Sequence, residues 1–374
     1  MADQAVVAAL RQGAEAWNAW RGAGEPAMVD LVRADLGRCD LRRADLSGVN
    51  LAGAMLDGAR LMGADLARAN LAGCSLRQAN LGEARLDGAT AVSADFTESD
   101  LRWARFEGAN LTKARFYGAD LTGASLACAQ MFRADLRWAN LAEAVIADTN
   151  LSDADLYHAD LRAARLCGVD LTGARLDLAT LAEGTVSGCR VYGVSAWDVK
   201  LEGTEQADLV ITPAGEPEIL LDDLDAAQFV NLLLHSASLR HHVRAIETRM
   251  VLVIADRGSE RAGRGKRLRH AVAAAGWRPL FYDPATAEPE AAGRMCAALL
   301  RICPVAVAEL TVVAPFAKSL LDAVAQQDRR LIPLLPAADD DPSRLVEVAG
   351  RESLLLLAVD DTSLDRITRM LARL

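Results

Sequence analysis

The first residues that could do chemistry lie in a glycine-rich turn about two thirds of the way along the chain. The turn runs from Asp256 to Lys266 and reads Asp-Arg-Gly-Ser-Glu-Arg-Ala-Gly-Arg-Gly-Lys. A phosphate loop needs Lys followed by Ser or Thr after its last glycine, and a dinucleotide fingerprint needs a third glycine at fixed spacing. The turn meets neither requirement. It leaves three weak candidates for nucleotide binding: Asp256, Ser259 and, after a later strand, Glu309.

Histidine and cysteine do not form a metal-ligand pattern. His235, His241 and His242 lie in a segment that predicts a helix over residues 222–247, where adjacent histidines point to different faces. The seven cysteines include no Cys-x-x-Cys pair, which favours buried, reduced thiols. We therefore expect no metal, no cofactor and no catalytic residue, and the protein is more simply interpreted as a non-enzyme.

The larger part of the chain is organised by a five-residue repeat. From Leu31 to Leu201 every fifth residue is apolar, which makes 35 units, and a small residue lies two positions before each. A period of five fits neither a helix nor a strand, so it indicates a solenoid. Each unit turns the chain by about a quarter, so that four units close one coil of 20 residues.

The units read Ala-(Asp/Asn)-Leu-x-x, as in Ala44-Asp45-Leu46, and they resemble the pentapeptide-repeat family. The resemblance implies a right-handed quadrilateral β-helix. The best-known members of the family protect DNA gyrase from quinolones or other poisons by mimicking DNA. The resemblance therefore implies topoisomerase protection, a form of antibiotic resistance, as one candidate function.

The sequence predicts four segments around this repeat. A helix over residues 1–25 covers the first coil, because its apolar residues recur at helical spacing and an open coil exposes unpaired edges. The β-helix follows over residues 26–203. Residues 204–249 are expected to form a hairpin that closes the last coil and a linker helix, and residues 250–374 an α/β domain.

One inward position of the repeat is underfilled. Ala91 stands where most other units have a large apolar residue, and three phenylalanines follow within the next coil and a quarter. Phe96, Phe106 and Phe116 are expected to point inward and fill the space, because an unfilled cavity costs several kcal/mol.

Aromatic residues concentrate on one outward face in the second half of the rod. Adding 20 residues per coil aligns six side chains on this face, in a chain that is only 5% aromatic. Such a concentration indicates a contact surface. Two alternatives stay open: the C-terminal domain or a homodimer mate covers the face, or an external protein binds it. The six residues are Tyr117, Trp138, Tyr157, His158, Leu178 and Trp197.

A second outward face carries acidic residues. A DNA mimic presents carboxylates at regular spacing, and the candidates lie directly before the apolar centres of their units, although Arg115 and Arg175 interrupt the series. Residues 26–202 have a net charge of −5 and no basic stripe, so direct binding of nucleic acid is not expected. The candidate carboxylates are Asp35, Asp95, Asp135 and Asp155.

Beyond residue 250 the pattern changes to alternating strands and helices, which predicts a doubly wound parallel sheet of strand order 2-1-3-4-5. This part resembles flavodoxin-like receiver folds and Toll/interleukin-receptor-like domains. The predicted strands are residues 250–255, 278–282, 305–308, 331–335 and 354–359. The predicted helices are residues 261–275, 290–302, 316–327, 343–349 and 363–374.

The whole-chain composition narrows the function classes. The 374 residues carry a net charge of −10, no apolar run is long enough to span a membrane, and residues 1–24 lack the features of a signal peptide. We expect a cytoplasmic, bacterial interaction scaffold with a protein partner and no membrane contact. The alternatives are a DNA mimic that protects DNA gyrase or another topoisomerase, and a Toll-like nucleotide sensor in signalling or defence.

Overall fold

The computed structural model describes residues 4–22, 29–235, 249–255, 264–284, 287–309, 315, 317–327, 329–335 and 357–358. The chain divides into two compact units, Met1–Leu209 and Val210–Leu374.

The first unit is a β-helix solenoid. Its β-bridges recur at every fifth residue, and each joins a residue to the one 20 positions later. Single parallel bridges run from Asp30↔Asn50 to Thr180↔Lys200. The backbone N–H of Leu31 donates to the Asn50 carbonyl at 2.7 Å, and Ala34 N–H closes the turn on the Leu31 carbonyl at 3.0 Å. Four units therefore make one coil, as the period predicts. Where pairing lengthens, four strands form: β1 (Val145–Ala147), β2 (Arg165–Cys167), β3 (Thr185–Ser187) and β4 (Glu205–Ala207).

The interior of the solenoid is filled by the apolar centres and the small residues two positions before them. Phe96, Phe106 and Phe116 are fully buried around the buried Ala91, which confirms their predicted inward direction. Phe96 and Phe116 stack, and Phe106 meets both rings edge-on at 6.1 and 6.2 Å. Mutual aromatic contacts thus fill the lumen in the coils that follow Ala91.

The second residue after each centre adopts a left-handed backbone conformation. Gly48 has φ +65° and Gly123 has φ +66°, and non-glycine residues at the same place, such as Arg33 at +56°, share it. The recurrent glycine of the repeat is therefore explained by backbone geometry, because glycine adopts this conformation without steric cost.

The N-terminal segment forms two helices rather than the single predicted one. Helix α1 (Gln4–Arg11) and helix α2 (Ala14–Gly22) are separated at Gly13, whose φ is +108°. Trp17 of α2 is fully buried, and its indole N–H donates to the carbonyl of Asp45 at 2.7 Å. The helices thus pack on the first coils, but the glycine breaks the helix where the apolar spacing alone did not indicate a break.

The solenoid ends one unit later than the sequence predicts. Strand β4 pairs with β3 in the 20-residue register, with Gln206 opposite Val186. The prediction that the repeat ends after Leu201 is wrong. The last unit has the polar residue Gln206 at its centre, where the hydrophobic pattern requires an apolar residue.

The predicted closing hairpin belongs to the α/β sheet instead. Strands β5 (Leu209–Val210) and β6 (Ile219–Leu221) lie at one edge of a seven-stranded sheet. Ile219 pairs antiparallel with Tyr282 of the adjacent strand. All three residues of β6 are buried, and a strand that is apolar throughout needs cover on both faces. The predicted hairpin strands are thus part of the α/β sheet.

The second unit contains helix α3 (Leu224–His235) and the predicted sheet. The sheet adds β7 (Met250–Ile254), β8 (Arg278–Tyr282), β9 (Val305–Glu309), β10 (Arg330–Leu335) and β11 (Leu357–Ala358), and the parallel strands lie in the order β8-β7-β9-β10-β11. This is the expected order 2-1-3-4-5. The intervening described helices are α4 (Arg264–Ala274), α5 (Pro289–Leu299) and α6 (Ala317–Gln326).

The predicted helices at 343–349 and 363–374, and the end of the predicted linker helix from residue 236, lie outside the described residues. Val251, Val253, Phe281 and Val307 form the centre of the core of this unit. None of the described helices is long and apolar enough to cross a membrane.

Candidate interaction surface

The six residues of the predicted aromatic face align along one corner of the square coil. Tyr117, Tyr157 and Trp197 directly follow their apolar centres, and Trp138, His158 and Leu178 lie one position further. Backbone bonds fix this alignment: Trp138 N–H donates to Tyr157 O at 3.1 Å, and Leu178 N–H donates to Trp197 O at 2.9 Å. We call these six side chains the aromatic face. Successive coils place them about 4.8 Å apart along the rod.

Three rings of the aromatic face touch one another. Trp138 and His158 stack with ring centroids 4.1 Å apart and planes 10° from parallel. Tyr157 meets Trp138 edge-on at 6.3 Å and His158 at 4.8 Å. The rings therefore restrict one another's rotation, and the cluster is organised before any partner arrives.

Arginines lie over the two tyrosines. The guanidinium of Arg137 is 5.6 Å from the ring centroid of Tyr117, and that of Arg175 is 4.2 Å from the ring centroid of Tyr157. Both distances fit cation–π attraction. The aromatic face thus carries Arg, Tyr and Trp together, the three residue types that are most enriched at energetic centres of protein interfaces.

Carboxylates hold these arginines in place. The Asp135 carboxylate pairs with Arg137 Nε at 2.7 Å, and the Asp177 carboxylate pairs with Arg175 Nε at 2.9 Å. The Asp155 carboxylate lies within 3.8 Å of both guanidinium groups. Burial alone would raise the pKa of Asp135, but its hydrogen bonds with Arg137 hold the pKa below the usual value. The hydrogen bond with Asp177 raises the pKa of Arg175. Asp135 and Arg175 therefore stay charged at neutral pH.

The large side chains of the aromatic face remain exposed. Trp138 exposes 51% of its surface, Trp197 60% and Tyr117 41%. Trp138 and Leu178 also adopt left-handed backbone conformations, with φ +61° and +62°, at positions where glycine would be free of strain. Bulky residues are uncommon in this conformation.

Sequence reasoning missed one exposed tryptophan, Trp103, which exposes 57% of its surface. It lies at another corner of the coil, over Gly123, and no described ring stacks on it. Sorting every outward position by coil would have identified it. Its isolation makes it a useful control for the aromatic face.

The carboxylates of the four DNA-mimic candidates make hydrogen bonds and ion pairs within the solenoid. Each accepts a hydrogen bond from the backbone N–H two residues later, which caps its own turn. This explains the preference for Asp or Asn before the apolar centre, because these short side chains reach the nearby backbone. Each carboxylate also lies within 4.0 Å of an arginine nitrogen. The pairs are Asp35 with Arg11, Asp95 with Arg115, Asp135 with Arg137, and Asp155 with Arg137 and Arg175.

Most residues considered for nucleotide or metal binding lie outside the part of the chain that the structure describes. Asp256, Ser259, His241 and His242 lie outside the described residues, and so do the side chains of Glu309 and His235. Among the described residues no group of His, Cys, Asp and Glu has metal-binding geometry.

Two cysteines of the repeat, Cys74 and Cys189, are buried core residues, whereas the expectation of buried thiols is wrong for Cys128. Cys74 Sγ donates to the Leu51 carbonyl at 2.7 Å. Burial raises the pKa of the Cys74 and Cys189 thiols to about 12, so both stay protonated. Cys39 and Cys167 are half-buried and Cys128 is exposed.

Comparison with known proteins agrees with the repeat geometry. The model of pentapeptide repeats (8 copies) matches residues 30–67, 64–102, 99–137, 134–173 and 159–195. No curated protein matches the chain.

Solved structures of three repeat proteins are similar to parts of the chain. HetL from the cyanobacterium Nostoc sp. strain PCC 7120, involved in the regulation of heterocyst differentiation, is 25% identical over 53% of this chain and 96% of its own, with a TM-score of 0.25. QnrB1, a plasmid-mediated fluoroquinolone resistance protein, is 21% identical over 46% of this chain and 88% of its own, with a TM-score of 0.36. Rfr23 from the cyanobacterium Cyanothece 51142 is 36% identical over 23% of this chain and 58% of its own, with a TM-score of 0.23. Together, the family match and the 20-residue coil mean that residues 30–195 belong to the pentapeptide-repeat family.

Proposed function

We propose that the protein is a non-enzymatic scaffold whose β-helix presents the aromatic face to a protein partner. The observation that carries this proposal is the ring cluster of exposed Trp138 with half-buried Tyr157 and His158, flanked by two arginines that carboxylates hold in place. A solenoid suits this role because each coil contacts only its neighbours, which leaves a long, regular outer surface for recognition.

Pre-organisation supports an interface function. Binding usually costs about 0.5–1.5 kcal/mol for each flexible side chain that becomes fixed. On the aromatic face, stacking already fixes Trp138 and His158, and ion pairs already fix Arg137 and Arg175. Much of this entropic cost is therefore met during folding.

The alternative function is protection of DNA gyrase or another topoisomerase by DNA mimicry. It requires a different kind of surface. A mimic must present free negative charge at the spacing of phosphates. The candidate carboxylates Asp35, Asp95, Asp135 and Asp155 all lie within 4.0 Å of arginine nitrogens and also cap turns. We therefore rank this alternative second.

For the C-terminal α/β unit we propose a scaffolding or dimerising role. In open parallel sheets ligands bind beyond the carboxyl ends of the strands, where the strand order reverses. Here that place lies between β7 and β9, and Asp256 and Ser259 follow β7 in the sequence. A Toll-like nucleotide sensor is the alternative, and nucleotide binding abolished by Asp256→Ala would favour it.

The scaffold proposal is tested with a double variant, Trp138→Ala with Tyr157→Ala, and with Trp103→Ala as the matched control. Each purified protein is used as bait in extract of the source organism, and sedimentation measures self-association. We expect the double variant to lose a partner that the wild type and Trp103→Ala retain, with unchanged circular dichroism. Identical capture by all three baits would contradict the proposal.

A further inference from the structure

Two exposed tryptophans of the aromatic face lack the cation that its tyrosines have. Arg137 lies over Tyr117 and Arg175 over Tyr157. Among the described residues no arginine or lysine lies over the ring of Trp138 or Trp197. The two tyrosines of the aromatic face thus each carry a guanidinium group, whereas Trp197 and the face of Trp138 that is not stacked on His158 carry none.

The backbone at both tryptophans is held by carboxylates that already pair with Arg137 and Arg175. The backbone N–H of Trp197 donates to Asp177 Oδ1 at 3.1 Å. Asp135 accepts the backbone N–H of Arg137, the residue before Trp138, at 3.3 Å. The net charge of −5 over residues 26–202 adds a general attraction for cations.

The spacing of the two tryptophan rings matches an extended peptide. Trp138 and Trp197 lie three coils apart along the rod, which is about 14 Å at about 4.8 Å per coil. An extended chain rises about 3.3 Å per residue, so about four residues span this distance. Side chains four residues apart in an extended chain point to the same side. Between the two rings the surface is formed by half-buried His158 and Leu178.

We propose that the aromatic face binds an extended segment of a basic partner that presents two arginines four residues apart. One guanidinium stacks on Trp138 and the other on Trp197. Arginine fits better than lysine because its planar guanidinium group stacks on aromatic rings. A second copy of this chain fits less well, because the chain has a net charge of −10. The inference rests on the scaffold function proposed above and specifies the chemistry of the partner.

Fluorescein-labelled peptides test the inference on the full-length protein. The probe is a Gly/Ser peptide with two arginines four residues apart. The controls have arginines three residues apart, or lysines four residues apart. Fluorescence anisotropy should show several-fold tighter binding of the probe than of either control, because each exposed cation–π contact contributes about two- to fivefold. Raised salt should weaken the binding, since surface charge attraction is screened.

Variants assign the binding to the two rings. Trp138→Leu combined with Trp197→Leu should remove the preference for the probe, whereas Trp103→Leu should retain it. Equal binding of all three peptides, or a preference that survives in the double variant, would overturn the inference. A partner that is captured through the aromatic face but is not displaced by the probe would also overturn it, while the scaffold proposal would stand.

Discussion

The rings of Phe96 and Phe116 stack inside the solenoid, with centroids 4.9 Å apart and planes 3° from parallel. They occupy equivalent places in successive coils, and both are fully buried. Large aromatic side chains in the lumen thus bridge successive coils directly after the unit that has Ala91 at its centre.

We predict that Phe96→Ala lowers the free energy of unfolding by about 3–5 kcal/mol, because it removes buried ring surface and leaves a cavity that the rigid coil cannot close. Chemical denaturation followed by circular dichroism measures the change. Trp103→Ala, which removes an exposed ring, should cost less than about 1 kcal/mol. A loss at Phe96 as small as that at Trp103 would show that the lumen does not depend on this ring.

We predict that Gly123→Ala is more destabilising than Gly108→Ala. Both glycines have positive φ, +66° and +64°, so both substitutions introduce backbone strain of about 1–2 kcal/mol. At Gly123 a Cβ would also lie 2.3 Å from Cζ3 of Trp103, whereas at Gly108 it would meet nothing within 4 Å. Adding Trp103→Ala should remove the difference between the two sites. A difference that persists in this double-mutant cycle would rule out the clash as its cause.

Sequence alone predicts the parts of this fold that depend on local periodicity. The five-residue period predicts the 20-residue coil, and the inward direction of Phe96 follows from its register. The order 2-1-3-4-5 follows from the rules of crossover connections. The sequence pattern could not predict which sheet β6 joins, because the pairing of Ile219 with Tyr282 connects residues far apart in the sequence.

For the candidate site, too, the sequence pattern predicts some features and not others. Addition of 20 residues per coil brings Trp138 next to His158, and the structure places their rings in contact. The role of the aspartates is different. Asp135 was selected as a free charge of a DNA mimic, but its side chain turns back to the Arg137 backbone and guanidinium. Pattern arguments locate a side chain on a face, whereas its hydrogen-bond partners depend on rotamers that the pattern does not contain.

We predict that Asp135 stabilises the protein at neutral pH and less so in acid. The lowered pKa of Asp135 means that folding favours its charged form. Its stabilising contribution is present above the unfolded-state pKa of about 3.9 and is lost as the pH falls through the lower folded-state value. Asp135→Asn keeps an oxygen for the turn and removes the charge. The difference in unfolding free energy between wild type and Asp135→Asn should therefore shrink from pH 7 to pH 3, and a constant difference would contradict the ion-pair role.

We predict that stoichiometric protein leaves gyrase supercoiling unchanged, with and without a quinolone, because arginines neutralise the carboxylates that a mimic would need to present. Supercoiling assays with purified gyrase measure this directly. Protection that is lost on charge reversal at Asp95 and Asp135 would instead establish the DNA-mimic function.

The most direct test of the account is site-specific photo-crosslinking in the source organism. A benzophenone amino acid replaces Leu178, within the aromatic face, or Asp148, at the opposite corner of the coil. The account predicts a covalent adduct with a different protein from position 178 and none from position 148. Adducts of equal yield from both positions, or an adduct at 178 only with this chain itself, would contradict the claim that the aromatic face binds an external partner.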